Sequence, residues 1–189
     1  MAKQPSQGTR ALARNQALQL LFQAEGVKRP VRRVLEDEYL VTNGPADEYA
    51  QELSCQCEDH LSQIDPVLAA YSERWALSRM HSVDRNILRL ALYELLFEEG
   101  VEDSVVINEA VKMAHDFGGD ESYSFVNGIL GRIARDLAQG VDIMHKGQQT
   151  AEAPSTSEAE DEWAQPEAAD AAQADDAGAE TADPDISEA

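Results

Sequence analysis

Apolar side chains recur at spacings of three and four residues along most of the chain up to about residue 140. Such spacing places them on one side of an α-helix, whereas a half-buried β-strand alternates apolar and polar residues strictly. Few stretches alternate in that way, and Pro or Gly interrupts the pattern at intervals typical of helices. The sequence therefore predicts an all-α fold of about seven helices in two small bundles.

The first half of the pattern predicts four helices, at residues 10–25, 30–41, 46–63 and 65–73. Thr9 is placed to cap the first helix and Gly26 to end it. Tyr39 is predicted to face inward from the second, and Asp65 and Pro66 are expected to open the fourth. These helices predict an N-terminal subdomain at 9–80, preceded by a flexible arm at 1–8.

The second half predicts three helices, at residues 83–98, 104–117 and 121–138. The first of the three is apolar around most of its circumference, which is typical of the central helix of a bundle. Its few charged residues are predicted to mark a solvent-facing side; they are Asp84, Arg85, Arg89 and Glu94. Together these helices predict a C-terminal subdomain at 81–146.

Two glycines, Gly128 and Gly131, lie inside the last predicted helix. Each costs that helix roughly 1 kcal/mol relative to Ala. The sequence leaves two explanations open. The glycines allow another helix to pack closely, or they leave room for the backbone of a ligand or partner.

Composition changes sharply after residue 146. Of the 36 acidic residues, 13 lie in this last segment, which contains no Lys or Arg and only Trp163 and Ile186 as large apolar side chains. Such a segment cannot bury enough apolar surface to offset an ordering cost of roughly 1–2 kcal/mol per residue. We therefore predict a disordered acidic tail at 147–189, and this polyanion is a candidate competitor for a basic surface.

Basic residues gather at the opposite end of the chain. Seven of them precede residue 34, where Glu25 is the single acid; they are Lys3, Arg10, Arg14, Lys28, Arg29, Arg32 and Arg33. Arg10 and Arg14 are four residues apart on the first predicted helix, which predicts a small cationic surface unless they are merely a solvated flank. No apolar run is long enough for a signal peptide or a membrane span, so a cytoplasmic protein is expected.

Neither the cysteines nor the histidines have the spacing of a metal site. Cys55 and Cys57 fall on different faces of a predicted helix, and no histidine stands at zinc-ligand distance from a cysteine or from another histidine. The acidic residues and histidines likewise show no pattern of nucleophile and base, and no glycine-rich cofactor loop occurs. We expect no metal, no cofactor and no catalytic activity.

Four segments together resemble the NusB family of transcription antitermination factors. They are 83–96 (VDRNILRLALYELL), 106–110 (VINEA), 125–130 (FVNGIL) and 13–22 (ARNQALQLLF). Each is weak alone, but their order and spacing are specific, and the resemblance covers roughly residues 9–140. It implies a two-subdomain helical fold that binds the boxA sequence of ribosomal RNA leader transcripts together with NusE, a protein of the small ribosomal subunit. The assembly would act on RNA polymerase.

The resemblance also implies an RNA-binding surface. It would combine the N-terminal basic residues Lys3, Arg10 and Arg14 with the start of the last helix, at Glu121, Ser122 and Phe125. The arginines would contact phosphates, Phe125 would stack on a base unless it is a core residue, and Glu121 would accept hydrogen bonds from base amino groups or orient an arginine. The family often carries consecutive arginines where this chain has Ala11 and Leu12, so fewer phosphate contacts are expected.

Two questions stay open at this point. Arg85, Arg89 and Glu94 are candidate contacts to a partner protein, but structural salt bridges explain them equally well. The alternative for the chain as a whole is a helical protein-interaction module that does not bind RNA and uses the exposed faces of the C-terminal bundle, with a homodimer as one form of it.

Overall fold

The computed structural model describes residues 7–36, 45–72 and 75–152, and every regular element among them is helical. Eight α-helices and one 3₁₀ turn, Leu77–Arg79, occur in these ranges. The α-helices are α1 Gln7–Val27, α2 Val31–Val34, α3 Glu48–Asp59, α4 Leu61–Tyr71, α5 Ser82–Phe97, α6 Asp103–Phe117, α7 Ser122–Ala138 and α8 Ile143–Glu152. The predicted all-α class is confirmed. Lys3 and the tail beyond residue 152 lie outside the described residues.

Helix α1 is longer than predicted at both ends. It begins at Gln7, so Thr9 lies within it and is not its cap, and it continues through Gly26 to Val27. The chain leaves the helix at Lys28, whose φ is 54°, and the Arg29 amide then donates to the Ala24 carbonyl at 3.0 Å. A non-glycine residue therefore occupies the left-handed position that usually favours Gly after a helix.

The boundaries of the next three helices also differ from the prediction. Helix α2 spans one turn, and Tyr39, expected in it, lies outside the described residues. Asp47 caps α3 by accepting from the Tyr49 amide at 2.9 Å, and α3 ends before His60. Pro66 lies inside α4 and does not open it. A proline in a helix interior removes one backbone hydrogen bond, a cost that packing of α4 against its neighbours offsets.

Helix α5 occupies the centre, as its nearly continuous apolar sequence predicts. It packs against α1, α3, α4, α6 and α7, and Leu88, Leu90 and Leu92, which point in different directions, are all fully buried. The apolar residues that surround α5 belong to one continuous core shared by both halves of the chain. Helix α5 therefore links the elements that carry the surfaces described below.

Helix α8 was not predicted. Asp142 caps its start by accepting from the His145 amide at 2.9 Å, and Ile143 is only 2% exposed. Gly147 lies against the backbone of α4, where an added Cβ would come within 2.8 Å of the Val67 nitrogen. The helix continues to Glu152, so the boundary that we placed after residue 146 falls inside an ordered helix.

Within the described ranges, no helix is long and apolar enough to cross a membrane.

Candidate nucleic-acid interface

Arg14 is not the surface cation that its helical spacing predicted. It is 2% exposed, and its Nε donates to both carboxylate oxygens of Glu94 at 2.9 Å, while Nη2 lies 2.8 Å from Oε1. Burial acts to lower the pKa of Arg14, but the hydrogen bonds and charge of Glu94 outweigh it and raise that pKa. The pair joins α1 to the centre of the fold, and its charges largely cancel.

Arg10 lies one turn before Arg14 and is half-buried. Its guanidinium carbon is 5.8 Å from the centre of the Tyr49 ring, within the range of a cation–π contact. Burial, together with the charges of Glu94 and Glu98, raises the pKa of Tyr49 to about 12, so the ring stays neutral at physiological pH. The two arginines therefore differ in their surroundings: Arg14 is held by a buried carboxylate, and Arg10 lies beside an aromatic ring.

Arg10 and Arg14 line a cavity of about 600 Å³, which we call the arginine cavity. Its other side is the start of α6, including Asn108. Glu102 and Glu109 also line it and reduce its positive charge. The cavity thus offers guanidinium and amide donors, but it is not strongly basic.

Glu121, Ser122 and Phe125 line a different cavity, of about 610 Å³. We call it the acidic cavity because Asp84 and Asp120 line it as well, so that among the described residues three carboxylates face one arginine, Arg79, and His81. Ser122 is buried, and its Oγ accepts from the Gly119 amide at 2.8 Å, which holds the turn between α6 and α7. Glu121 is exposed and Phe125 is half-buried against the core, so these two are the predicted residues free to meet a ligand there.

The structure does not bring the two predicted groups into one cavity, because no residue lines both. Glu94, which holds Arg14, and Asp84 are ten residues apart on α5, or about 15 Å at 1.5 Å per residue. Helix α6 spans the same interval: Asn108 lines the arginine cavity, and Gly119, just after the helix, lines the acidic one. Between them, Lys112 and His115 are exposed on the side of α6 that carries Asn108.

Trp75 was missed by the sequence reasoning. It follows α4, is 56% exposed, and lines the acidic cavity next to Phe125. Both aromatic residues also line a third cavity, of about 420 Å³, which we call the tryptophan cavity and which includes Gly128 and Arg132. The sequence did contain a signal for Trp75: it is a large aromatic residue in a segment without helical periodicity. Such a residue is not predicted to be buried in the core, so it is a candidate for a binding surface.

Arg85 and Arg89, predicted on a solvent-facing side of α5 as partner contacts, are instead paired within the fold. Arg89 donates to the two carboxylate oxygens of Asp65 at 2.7 and 2.8 Å, and Arg85 donates to Glu25. Their side chains are 14% and 13% exposed. Glu94, the third candidate, is buried against Arg14, so the geometry favours the alternative of structural salt bridges for all three.

Among the described residues, no group of three or more His, Cys, Asp or Glu side chains is arranged to hold a metal ion. Cys57 is buried, which raises the pKa of its thiol, and Cys55 is a free cysteine on the same helix.

The sequence model of the NusB family matches residues 11–135, about two thirds of the chain. The chain belongs to the NusB family. The transcription antitermination protein NusB of Thermobifida fusca (strain YX) is 42% identical over 126 residues, covering 67% of this chain and 89% of that protein. The predicted family is thereby confirmed, and this NusB chain is a transcription antitermination factor and not an enzyme.

Solved NusB structures share the fold of this chain. NusB of T. maritima is 39% identical with a TM-score of 0.60, covering 71% of this chain and 94% of that one. A crystal structure of the antitermination factors NusB and NusE in complex with dsRNA is 26% identical with a TM-score of 0.57, covering 69% of this chain and 98% of that one. Helix α8 lies beyond the residues that the family model matches.

Proposed function

We propose that this NusB chain binds single-stranded boxA RNA of ribosomal RNA leader transcripts together with NusE. The resulting complex acts in the cytoplasm as part of an antitermination complex on RNA polymerase. One observation carries the RNA-binding part: α6 connects a cavity lined by Arg10 to a cavity lined by Phe125. Cationic and aromatic side chains at the two ends suit a single strand whose phosphates need cations and whose bases need stacking surfaces.

The proposed path of the RNA follows the exposed side of α6. Asn108, Lys112 and His115 lie on this side at positions i, i+4 and i+7, and they offer donors to phosphate between the two cavities. The separation of about 15 Å along α5 is a distance that a short stretch of an extended single strand can span. This path makes Lys112 a proposed contact that the sequence alone did not indicate.

The predicted site residues fall into two groups, those proposed to contact RNA and those proposed to position other groups. Arg10 contacts phosphate, Lys3 adds a second cation, Phe125 stacks on a base and Glu121 accepts from a base amino group. Arg14, with its charge matched by Glu94, is a positioning residue that holds α1 against α5. Ser122 holds the turn before α7 and acts through it.

The affinity for RNA alone is expected to be modest. Arg14 is neutralised, Glu102 and Glu109 lie in the arginine cavity, and Ala11 and Leu12 stand where the family often has arginines. Few phosphate contacts give a shallow dependence of affinity on salt, with a slope of about −0.7 per contact for a single strand. NusE is therefore proposed to supply the remaining affinity. The neighbouring NusB–NusE–dsRNA structure supports such a ternary assembly.

The test is binding of fluorescein-labelled boxA RNA, followed by anisotropy at fixed salt, with and without NusE. A scrambled strand and a boxA duplex are the controls for sequence and strandedness. Arg10→Ala is expected to weaken binding about tenfold, as expected for loss of a charge-assisted contact of roughly 1.5 kcal/mol. Arg135→Ala, an exposed arginine of α7 that lines none of the three cavities, should bind like the parent chain. Equal affinity for boxA and scrambled RNA under every condition would refute the proposal.

A second candidate function is a protein-interaction module that does not bind RNA. Exposed apolar side chains on α1 favour it, since Leu12 is 53%, Phe22 44% and Val27 50% exposed. If this candidate is correct, binding to NusE, or self-association measured by sedimentation, will be insensitive to RNA competitors. A homodimer in the free state belongs to the same proposal and is resolved by the same sedimentation experiment.

A further inference from the structure

Gly128 has no packing explanation. It is exposed on α7, where Gly costs a helix roughly 1 kcal/mol relative to Ala. An added Cβ would meet no heavy atom within 4 Å, so no neighbouring helix requires a glycine there. The same holds for Gly131. Close helix packing, one of the two explanations that the sequence left open, is therefore wrong for both glycines.

Gly128 differs from Gly131 in what it faces, because only Gly128 lines the tryptophan cavity. The aromatic lining residues are Trp75 and Phe125, and Trp75 is more than half exposed. The Trp75 amide donates to the Ser72 carbonyl at 2.6 Å, which fixes the chain at the end of α4. Trp75 and Phe125 together form an aromatic surface, and covering it with a ligand would remove apolar area from water.

The charge of the tryptophan cavity distinguishes it from the acidic cavity beside it. Arg132 is the one charged residue among the described residues that line it, whereas three carboxylates and a single arginine, Arg79, line its neighbour together with His81. The Tyr71 carbonyl accepts from Arg132 Nη2 and anchors the guanidinium. A guanidinium has five N–H donors, so others remain available to an anion. An aromatic surface beside one anchored cation matches a base joined to a phosphate.

We propose that the tryptophan cavity binds one nucleotide of the RNA, a subsite that adjoins the surface along α6 at Phe125, which lines both cavities. The base packs against the rings of Trp75 and Phe125, Arg132 contacts the phosphate, and the sugar–phosphate backbone passes over Gly128, where a side chain would obstruct it. A volume of about 420 Å³ lies in the range of pockets that hold small ligands. This subsite rests on the proposed RNA-binding function and extends it.

The two glycines provide a matched pair of variants in the full chain. Gly128→Ala and Gly131→Ala should both raise the melting temperature, because each introduces a better helix former into α7 without a clash. Only Gly128→Ala adds a methyl group to the cavity, and it should weaken boxA RNA binding about fivefold or more, as expected for overpacking of an occupied site. A loss of affinity in a more stable protein cannot be attributed to unfolding.

Trp75 supplies an independent readout. The chain has two tryptophans, so replacing Trp163 by Phe leaves Trp75 as the single indole reporter. RNA should quench its fluorescence in the Trp163→Phe chain, because a base stacks on it. Trp75→Ala should weaken binding about 5- to 100-fold, the usual effect of losing one stacking surface, and Trp75→Phe should restore part of it. Arg132→Ala should weaken binding, whereas Arg135→Ala should not.

The outcomes separate this inference from the proposed function. If the parent chain shows no selective RNA binding with or without NusE, the proposed function fails and the subsite fails with it. If RNA binds but Trp75 is not quenched and the two glycine variants bind equally, the subsite alone is wrong. If Gly128→Ala weakens NusE binding and leaves RNA binding unchanged, the cavity serves a protein, which also overturns the inference.

Discussion

Removal of the Arg14 guanidinium should be among the most destabilising single changes in this fold. The Arg14 and Glu94 side chains are 3% and 1% exposed. Arg14→Met keeps the aliphatic length of the side chain but leaves the Glu94 carboxylate without three short contacts in the interior. Breaking a buried ion pair from one side typically costs about 3–5 kcal/mol. A domain of this kind has a total stability of roughly 5–15 kcal/mol, so the variant is expected to lose a large part of it.

The double variant Arg14→Met, Glu94→Met is the matched control. It removes both charges together, and such replacements by apolar residues of similar volume are often neutral or stabilising. We therefore expect it to recover most of the stability lost in the single variant. Urea unfolding followed by far-UV circular dichroism gives the free energies by linear extrapolation. A cost below about 1 kcal/mol for Arg14→Met, or no recovery in the double variant, would refute the account of a buried, charge-matched pair.

The same double variant also assigns the function of Arg14. If Arg14 positions α1 and does not contact phosphate, the stable double variant should bind boxA RNA much as the parent does, while Arg10→Ala does not. RNA affinity as low in the double variant as in Arg10→Ala would make Arg14 a phosphate contact after all. Simple truncation of Arg14 to Ala cannot make this distinction, because it disturbs the fold and the arginine cavity together.

Two further predictions concern the contacts between helices. Gly147→Ala should destabilise the protein by about 1–3 kcal/mol in urea titrations, because its Cβ would meet the α4 backbone at Val67, whereas Gln148→Ala, exposed on the same helix, should be nearly neutral. Burial acts to raise the pKa of Glu25, but Arg85 and Asn86 outweigh it and lower that pKa. The stability from Glu25 is therefore fully present above its unfolded pKa of about 4.5 and is lost as pH falls through the lower folded value. Glu25→Gln should flatten the acid limb of stability against pH, and an unchanged acid limb would contradict this assignment.

The sequence predicted those features that depend on local periodicity. The burial of α5 followed from apolar residues around most of its circumference, and the positions of α6 and α7 followed from the apolar spacing within 104–117 and 121–138. The predictions for these three helices were correct because the burial of a continuous apolar face largely determines where a helix packs. The ends of helices were less predictable. Gly26 was predicted to end α1, but Lys28 adopts the left-handed conformation there.

The errors arose where one residue depends on a distant one. In the sequence, Arg14 looks like an exposed cation because Arg10 lies one helical turn away. Its partner Glu94 is 80 residues distant, so the spacing of neighbouring residues cannot indicate the pair. Helix α8 has little apolar character; it is held because Gly147 approaches a backbone some 80 residues earlier in the chain. The candidate site shared this difficulty, since its cavities combine residues from α1, α5, α6 and α7 with residues from the chain between α4 and α5.

The position of α8 determines how the acidic tail should be tested as a competitor of RNA. A chain that stops after residue 146 loses the part of α8 that contains Gly147 and strips a cover from Val67 on α4. Such a truncation would remove the acidic residues and at the same time expose part of the core at α4. A loss of solubility or a change in RNA affinity could then be attributed wrongly to the missing acidic residues. A stop codon placed after Glu152 retains the helix and still removes 12 of the 13 acids, which gives an uncompromised comparison.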